Sequence, residues 1–164
     1  MKSEQIRWNE KTLWSAQDTE EAKNRNLVLV FFDHPACLSA EWFDDLRSLY
    51  PNALIAGTSS SGSILDTLIS DQDGVATAIT LERSSVRCAS LKVADYQDIS
   101  LLGKDLGKAL LDDSLRHVLI LSDGLSVNGS DLARGLSDVL PEGITITGGL
   151  AGDGTRFGTT YVIA

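Results

Sequence analysis

The chain reads Thr145-Ile-Thr-Gly-Gly-Leu-Ala-Gly-Asp-Gly-Thr155, which places four glycines within seven residues directly after an apolar run typical of a β-strand. Without side chains, such a stretch lets main-chain amides approach another group closely. An earlier stretch, from Asn52 to Ser63, has the same design, because an apolar run leads into Gly57 and a series of small residues. We therefore predict a glycine-rich loop after each of two strands.

The similarity between these stretches extends upstream along the chain. When residues 27–51 are placed over residues 117–141 at a constant offset, the matching positions include Val28/Val118, Leu29/Leu119, Asp33/Asp123, Leu46/Leu136 and Pro51/Pro141. One inserted residue after the prolines then brings Gly57 opposite Gly148. This alignment predicts an internal repeat, with each unit running strand, Asp, helix, Pro, strand and glycine loop.

Composition limits the classes of protein and partner. The chain has 164 residues, 43% of them hydrophobic, which suits one domain with a substantial core. A net charge of -9, with no cluster of Lys or Arg, argues against a nucleic-acid partner. The sequence contains neither a signal core nor a run of about 20 apolar residues, so we expect a soluble cytoplasmic protein with no membrane partner.

Apolar spacing and chain breakers predict the elements. The pattern favours a helix between Ser15 and Asn24, with Ser15 or Asp18 at its start. It favours another helix from Leu38 to Leu49. Later helices are expected at 99–111 and from Asn128 or Ser130 to Val139. Strands are expected at 27–32, 53–56, 118–121 and 144–147, with a last one starting at Thr159, and residues 75–81 and 86–93 suggest a hairpin. The fold class is therefore α/β: a mixed, mainly parallel sheet covered by helices, with an antiparallel hairpin.

A ligand site is expected where parallel strands end, because α/β sheets bind ligands beyond the carboxyl ends of their strands. The candidate ligand-binding residues are Asp33, Gly57, Thr58, Ser59, Ser60, Ser61, Gly62, Asp123, Gly148, Gly149, Gly152 and Asp153. One hypothesis is that loop amides hold a small carboxylate while Asp123 or Asp33 pairs with an amine, which fits a free amino acid. The alternative is that the glycines only turn the chain and the aspartates bond to loop amides.

Catalytic and metal motifs are absent from the sequence. Ser63 stands where a phosphate loop needs lysine, and the later glycines lack the dinucleotide spacing. With only His34 and His117 available, a hydrolase triad has little support, so we expect no enzyme activity. Cys37 and Cys88 have no metal-type spacing, and we expect no metal site and no cofactor. His34 is either a plain loop residue or an axial ligand to haem.

Four stretches together resemble the amino-terminal part of the FIST domain: 57–62, 73–75, 119–125 and 148–154. The resemblance implies a sensory domain of signal-transduction proteins that recognises small molecules such as amino acids, without established catalysis. Residues 1–21 would form a polar segment and a helix start, and residues 22–164 the domain. The apolar end at 160–164 suggests truncation of the family's usual continuation. One branch of the family implies the alternative of a haem-based nitric-oxide sensor that acts on a histidine kinase, and a ligand-free interaction module is the third possibility.

Overall fold

The chain forms two compact units, each with its own hydrophobic core. The computed structural model describes residues 1–16, 19–33, 39–70 and 73–164. Unit 1 comprises residues 1–86 and 152–164, and unit 2 comprises residues 87–151. Unit 1 is therefore discontinuous in sequence, and unit 2 is inserted into it.

A six-stranded mixed sheet is the framework of unit 1. Its strands are β1 (Lys2–Asn9), β2 (Leu13–Trp14), β3 (Leu27–Asp33), β4 (Leu54–Ser60), β7 (Gly74–Thr80) and β10 (Val162–Ile163). Across the sheet they lie in the order β10-β4-β3-β7-β1-β2. The β3–β4 pair is parallel, and the other pairs in this sheet are antiparallel. Alternate residues of β3, Val28, Val30 and Phe32, are fully buried, as expected for a central strand with one face on the core.

Two helices cover this core. Helix α1 (Glu20–Lys23) begins after Thr19, whose hydroxyl accepts a hydrogen bond from the Ala22 amide. Helix α2 (Glu41–Leu49) buries Trp42 and Leu46, which lie on one face because they are four residues apart. The Trp42 ring packs with its centroid 4.6 Å from that of Phe32, so α2 packs against β3 near the carboxyl end of that strand.

A separate antiparallel hairpin also belongs to unit 1. It joins β5 (Ser63–Leu65) to β6 (Leu68–Ser70), with Ile64 opposite Ile69 and Leu65 opposite Leu68. Asp66, in the two-residue turn, has a φ of 53°, the left-handed conformation that tight hairpin turns require.

Unit 2 packs two helices on a pair of parallel strands. The strands are β8 (His117–Ser122) and β9 (Thr145–Leu150), and the helices are α3 (Ile99–Leu110) and α4 (Gly129–Ser137). Asp98 and Asn128 cap the helices by accepting hydrogen bonds from amides of their first turns. The helices approach closely, since a Cβ at Gly135 would lie 2.0 Å from the carbonyl oxygen of Ser100.

The structure confirms the mixed α/β class and corrects several details. Parallel pairing occurs at β3–β4 and β8–β9, but the other pairs of described strands are antiparallel, so the expected parallel predominance is wrong. The hairpin predicted at 75–81 and 86–93 is also wrong, because β1 and β3 occupy both edges of β7. The antiparallel hairpin lies instead at β5–β6.

The ends of several helices and strands also differ from those that the sequence predicts. The first helix is shorter than expected, and the capping residue is Thr19; Asp18 lies outside the described residues. Strand β1 was not expected, and the last strand is limited to Val162–Ile163. Within the described ranges, no helix has the length and apolar character needed to cross a membrane.

Candidate functional site

Gly57 and Gly148 lie within strands rather than in the loops that the sequence predicts. Strand β4 continues through Ser60, and β9 continues through Leu150. A Cβ at Gly57 would lie 1.9 Å from the carbonyl oxygen of Val30, and a Cβ at Gly148 would lie 1.9 Å from that of Ile120. Because real side chains never come so close, both glycines are required for the approach of the neighbouring strand.

The two parallel strand pairs each place a glycine opposite the residue that it approaches closely. Gly57 is paired with Val30 in β3–β4, and Gly148 is paired with Ile120 in β8–β9. The positions match those aligned in the sequence, where Val30 corresponds to Ile120. The internal repeat itself stays a prediction.

The serines that follow Gly57 bond to other parts of unit 1. The Ser59 hydroxyl is fully buried and accepts a hydrogen bond from the Tyr161 amide at 3.0 Å. Ser60 Oγ donates to the Gly62 carbonyl at 2.8 Å, and Ser61 Oγ accepts from the Gly154 amide at 3.1 Å. Ser59 and Ser61 therefore join the end of β4 to the segment 152–161, whereas Ser60 stabilises the local turn.

Gly152 also lies against the end of β4. Its amide donates to the Ser59 carbonyl at 3.0 Å. A Cβ at Gly152 would lie 2.6 Å from Ser61 Oγ, so the position requires glycine or a displaced serine. Thr58, also in β4, is buried.

Asp153 organises the loop that follows. Its carboxylate accepts hydrogen bonds from the Gly158 amide at 2.8 Å, the Thr159 amide at 3.0 Å and Arg156 Nε at 2.8 Å. The bond from Arg156, followed by the two amide bonds, holds the pKa of Asp153 well below its usual range. Asp153 is therefore charged at neutral pH and stabilises the turn, the structural role that the sequence left open.

Arg156 links two of the predicted site residues. Its Nη2 donates to Asp33 Oδ1 at 2.8 Å while its Nε binds Asp153, although Asp33 and Arg156 are 123 residues apart in sequence. Hydrogen bonds from Asp33 and Asp153 raise the pKa of Arg156. The guanidinium side chain is 42% exposed, and Nη1 has no hydrogen bond to the described residues. We name Asp33, Ser61, Gly152, Asp153 and Arg156 the Arg156 cluster.

The remaining predicted residues belong to unit 2. Asp123, Gly148 and Gly149 lie there, whereas the other candidates lie in unit 1. The Asp123 carboxylate accepts hydrogen bonds from the amides of Leu125 and Ser126, which closes the turn after β8. A Cβ at Gly149 would meet no atom of the described residues within 4 Å.

Sequence reasoning missed Arg156. The residue is the sole Lys or Arg after Arg134, and it lies in the middle of a glycine-rich segment of an acidic chain. A lone cation in such a loop is the signal that identifies it. Its partner Asp33 is too distant in sequence for spacing to reveal the pair.

The histidines and cysteines have limited support as ligands of a metal ion or haem. His34 and Cys37 lie outside the described residues. His117 Nε2 lies 2.6 Å from Thr147 Oγ1, an ordinary bond between paired strands. Cys88 is exposed and free. In the part of the chain that the structure describes, no three His, Cys, Asp or Glu side chains are grouped to hold a metal ion.

Comparison with known proteins identifies the family. Residues 26–164 match the FIST N domain, which is nearly the whole chain. Neither the curated proteins nor the solved structures give a significant match. The glycine-rich strand ends described above lie inside the matched region. The chain therefore belongs to the FIST N domain family, a family of sensory domains in signal transduction.

Proposed function

We propose that this sensory domain binds a free amino acid at the Arg156 cluster. The observation that supports the proposal is the pair of opposite charges formed by Arg156 and Asp33, 2.8 Å apart at the end of β3, in which the Arg156 side chain is 42% exposed and the Asp33 side chain is 13% exposed. A ligand that carries both a carboxylate and an ammonium group is complementary to such a pair. The carboxylate then binds Arg156, and the ammonium group binds Asp33.

The availability of donors favours Arg156 over the glycine amides as the carboxylate ligand. The amides of Gly152, Gly154 and Gly158 all donate to groups within unit 1. Nη1 of Arg156 forms no hydrogen bond within the described part of the chain, and Asp33 and Asp153 hold the planar guanidinium group in a fixed orientation. A pre-oriented guanidinium group loses less side-chain entropy when it binds a carboxylate.

The charge of the cluster favours an amino acid over a simple organic acid. Two carboxylates surround one guanidinium group, so the cluster carries a net negative charge. A monoanion is repelled by Asp33 and Asp153, whereas the ammonium group of an amino acid compensates for that repulsion. We therefore expect alanine to bind more tightly than propanoate.

Isothermal titration with a panel of amino acids tests this proposal. For the best ligand of the panel, we expect the analogue without the amine and the analogue without the carboxylate each to bind at least about tenfold more weakly, because each loses one charge-assisted hydrogen bond. Arg156→Gln and Asp33→Asn should weaken binding to a similar extent. A panel in which no amino acid binds, or equal binding of the deaminated analogue, contradicts the proposal.

The matched control is Arg134→Gln in unit 2. Arg134 forms a surface ion pair with Asp131, three residues away, as Arg156 does with Asp153. This variant removes the same charge from the chain without touching the Arg156 cluster, so binding should be unchanged. Equal losses in Arg134→Gln and Arg156→Gln would indicate a general effect of net charge. A haem absorption band in the same samples would favour the gas-sensor alternative, with a histidine kinase as its partner.

A further inference from the structure

A second cleft in unit 1 lies between the β5–β6 hairpin and the sheet. It has a volume of about 210 Å³ and shares no residue with the Arg156 cluster. Its lining includes Arg7 of β1, Asp73 directly before β7 and Val75 within β7, together with Leu65, Leu68 and Ile69 of the hairpin. The cleft therefore combines an apolar wall with one pair of charged side chains.

Arg7 provides the polar contacts that a ligand in this cleft can use. Its Nη2 donates to Asp73 Oδ2 at 2.6 Å, and Asp73 is buried. Burial alone raises the pKa of Asp73, but the hydrogen bonds from Arg7 and Ser70 and the charge of Arg7 lower it below its usual range. Asp73 is thus charged and anchors Arg7, whose side chain is 42% exposed and whose Nε and Nη1 form no hydrogen bond with the described residues.

The hairpin presents two cross-strand pairs of apolar side chains. Leu65 is opposite Leu68, and Ile64 is opposite Ile69. Leu65, Leu68 and Ile69 line the cleft, whereas Ile64 does not. Leu68 is 61% exposed even though it lines the cleft. Small-molecule sites are typically concave and mostly apolar with a few polar or charged groups, and the cleft has this composition.

We propose that this cleft binds a short aliphatic carboxylic acid. The carboxylate accepts hydrogen bonds from Arg7, whose guanidinium group still has donors in the geometry that matches a carboxylate. The aliphatic chain then packs against Leu65, Leu68 and Val75. The cleft is smaller than the roughly 300–1,000 Å³ of sites for drug-sized ligands, which limits the ligand to a short chain. This site is independent of the amino-acid site proposed above.

Titration with pentanoate, followed by NMR or calorimetry, tests the inference on the unmodified chain. We expect saturable binding below about 10 mM. Pentanamide has the same shape without the charge, and it should bind at least about tenfold more weakly because its bond to Arg7 is not charge-assisted. Absence of pentanoate binding, or equal affinity for pentanamide, would overturn the proposal.

Two variants of the hairpin form a matched pair. Leu68→Glu places a competing carboxylate beside Arg7, and it should weaken pentanoate binding at least about tenfold. Ile64→Glu adds the same charge to the same hairpin, but Ile64 is 64% exposed and does not line the cleft, so affinity should stay within about twofold. Equal losses in both variants would overturn the assignment of the cleft.

Arg7→Gln provides a second test because it removes the proposed carboxylate ligand. The variant leaves buried Asp73 without its cationic partner, so its melting curve and circular dichroism are measured first. A folded variant that has lost pentanoate binding supports the proposal, and a folded variant that retains it is contrary evidence. If Arg7→Gln does not fold, the comparison of Leu68→Glu with Ile64→Glu decides.

Discussion

Replacing Gly148 with alanine should destabilise unit 2, whereas the same change at Gly149 should not. A Cβ at Gly148 would lie 1.9 Å from the Ile120 carbonyl oxygen and 2.7 Å from Ile120 Cγ2. The backbone of Gly148 also has a φ of 149°, a conformation that alanine rarely adopts. At Gly149, a Cβ would have open space around it, with no atom from the described ranges within 4 Å. A comparison of Gly148→Ala with Gly149→Ala therefore separates the effect of the clash from any general effect of replacing a glycine in β9.

The size of the effect follows from these contacts. Overpacking costs about 1–3 kcal/mol, and an unfavourable backbone conformation adds about 1–3 kcal/mol. Gly148→Ala should therefore lower the free energy of unfolding by about 2–6 kcal/mol, and at about 2–4 °C per kcal/mol Tm should fall by at least about 4 °C. Gly149→Ala should leave stability unchanged or raise it by about 0.4–1 kcal/mol, because alanine restricts the unfolded chain.

Thermal unfolding and hydrogen exchange measure this difference. The amides of β8 and β9 should exchange faster in Gly148→Ala than in Gly149→Ala, because the clash separates these paired strands. Equal stability of the two variants would refute the packing role of Gly148. A ligand-binding role would then be the better account of that glycine.

Three further changes test other contacts. Asp153→Asn should lower Tm at neutral pH, and the difference from the unchanged chain should shrink as pH falls below about 4. The lowered pKa of Asp153 stabilises the fold in full only above the unfolded-state pKa, and this stabilisation is lost as pH falls towards the folded-state pKa. A difference that is constant from pH 7 to about 3 would contradict this. Ser59→Ala removes the hydroxyl that accepts a hydrogen bond from the Tyr161 amide, and it should lower the free energy of unfolding by about 1 kcal/mol. The amides of β10 should then exchange faster with solvent hydrogen, and unchanged exchange there would be the contrary result. Asn128→Ala removes the cap of α4 and should cost about 1 kcal/mol in chemical denaturation, and an equal loss from Asn128→Ser would argue against capping.

Local signals in the sequence located the helices, although they placed the start of α1 too early. Trp42 and Leu46 have the spacing of a buried helix face, and Asn128 was one of two expected caps for α4. The strand order could not be predicted in the same way. Strand β1 has only Ile6 and Trp8 as buried apolar residues, and its position depends on pairing with β7, about 70 residues later in the sequence.

The candidate site was likewise predictable only where its residues are close together in the sequence. The sequence indicated the glycines, but it could not show that Gly57 is needed for the approach of Val30. It identified Asp33 and Asp153 as candidates, yet Arg156, which connects them, is a distant partner of Asp33. Spacing reveals groups on one element, whereas this cluster is assembled from strand β3 and a loop near the other end of the chain.

The discontinuity of unit 1 has a consequence for folding during synthesis. Residues 1–86 are made first, but β4 gains its partner β10 only after all of unit 2 has been made. Until then, one edge of β4 is unpaired, and Asp33 and Ser59 lack their partners Arg156 and Tyr161. On the ribosome, unit 2 therefore has the opportunity to fold before unit 1 is complete, and the segment that closes the Arg156 cluster is the last to arrive.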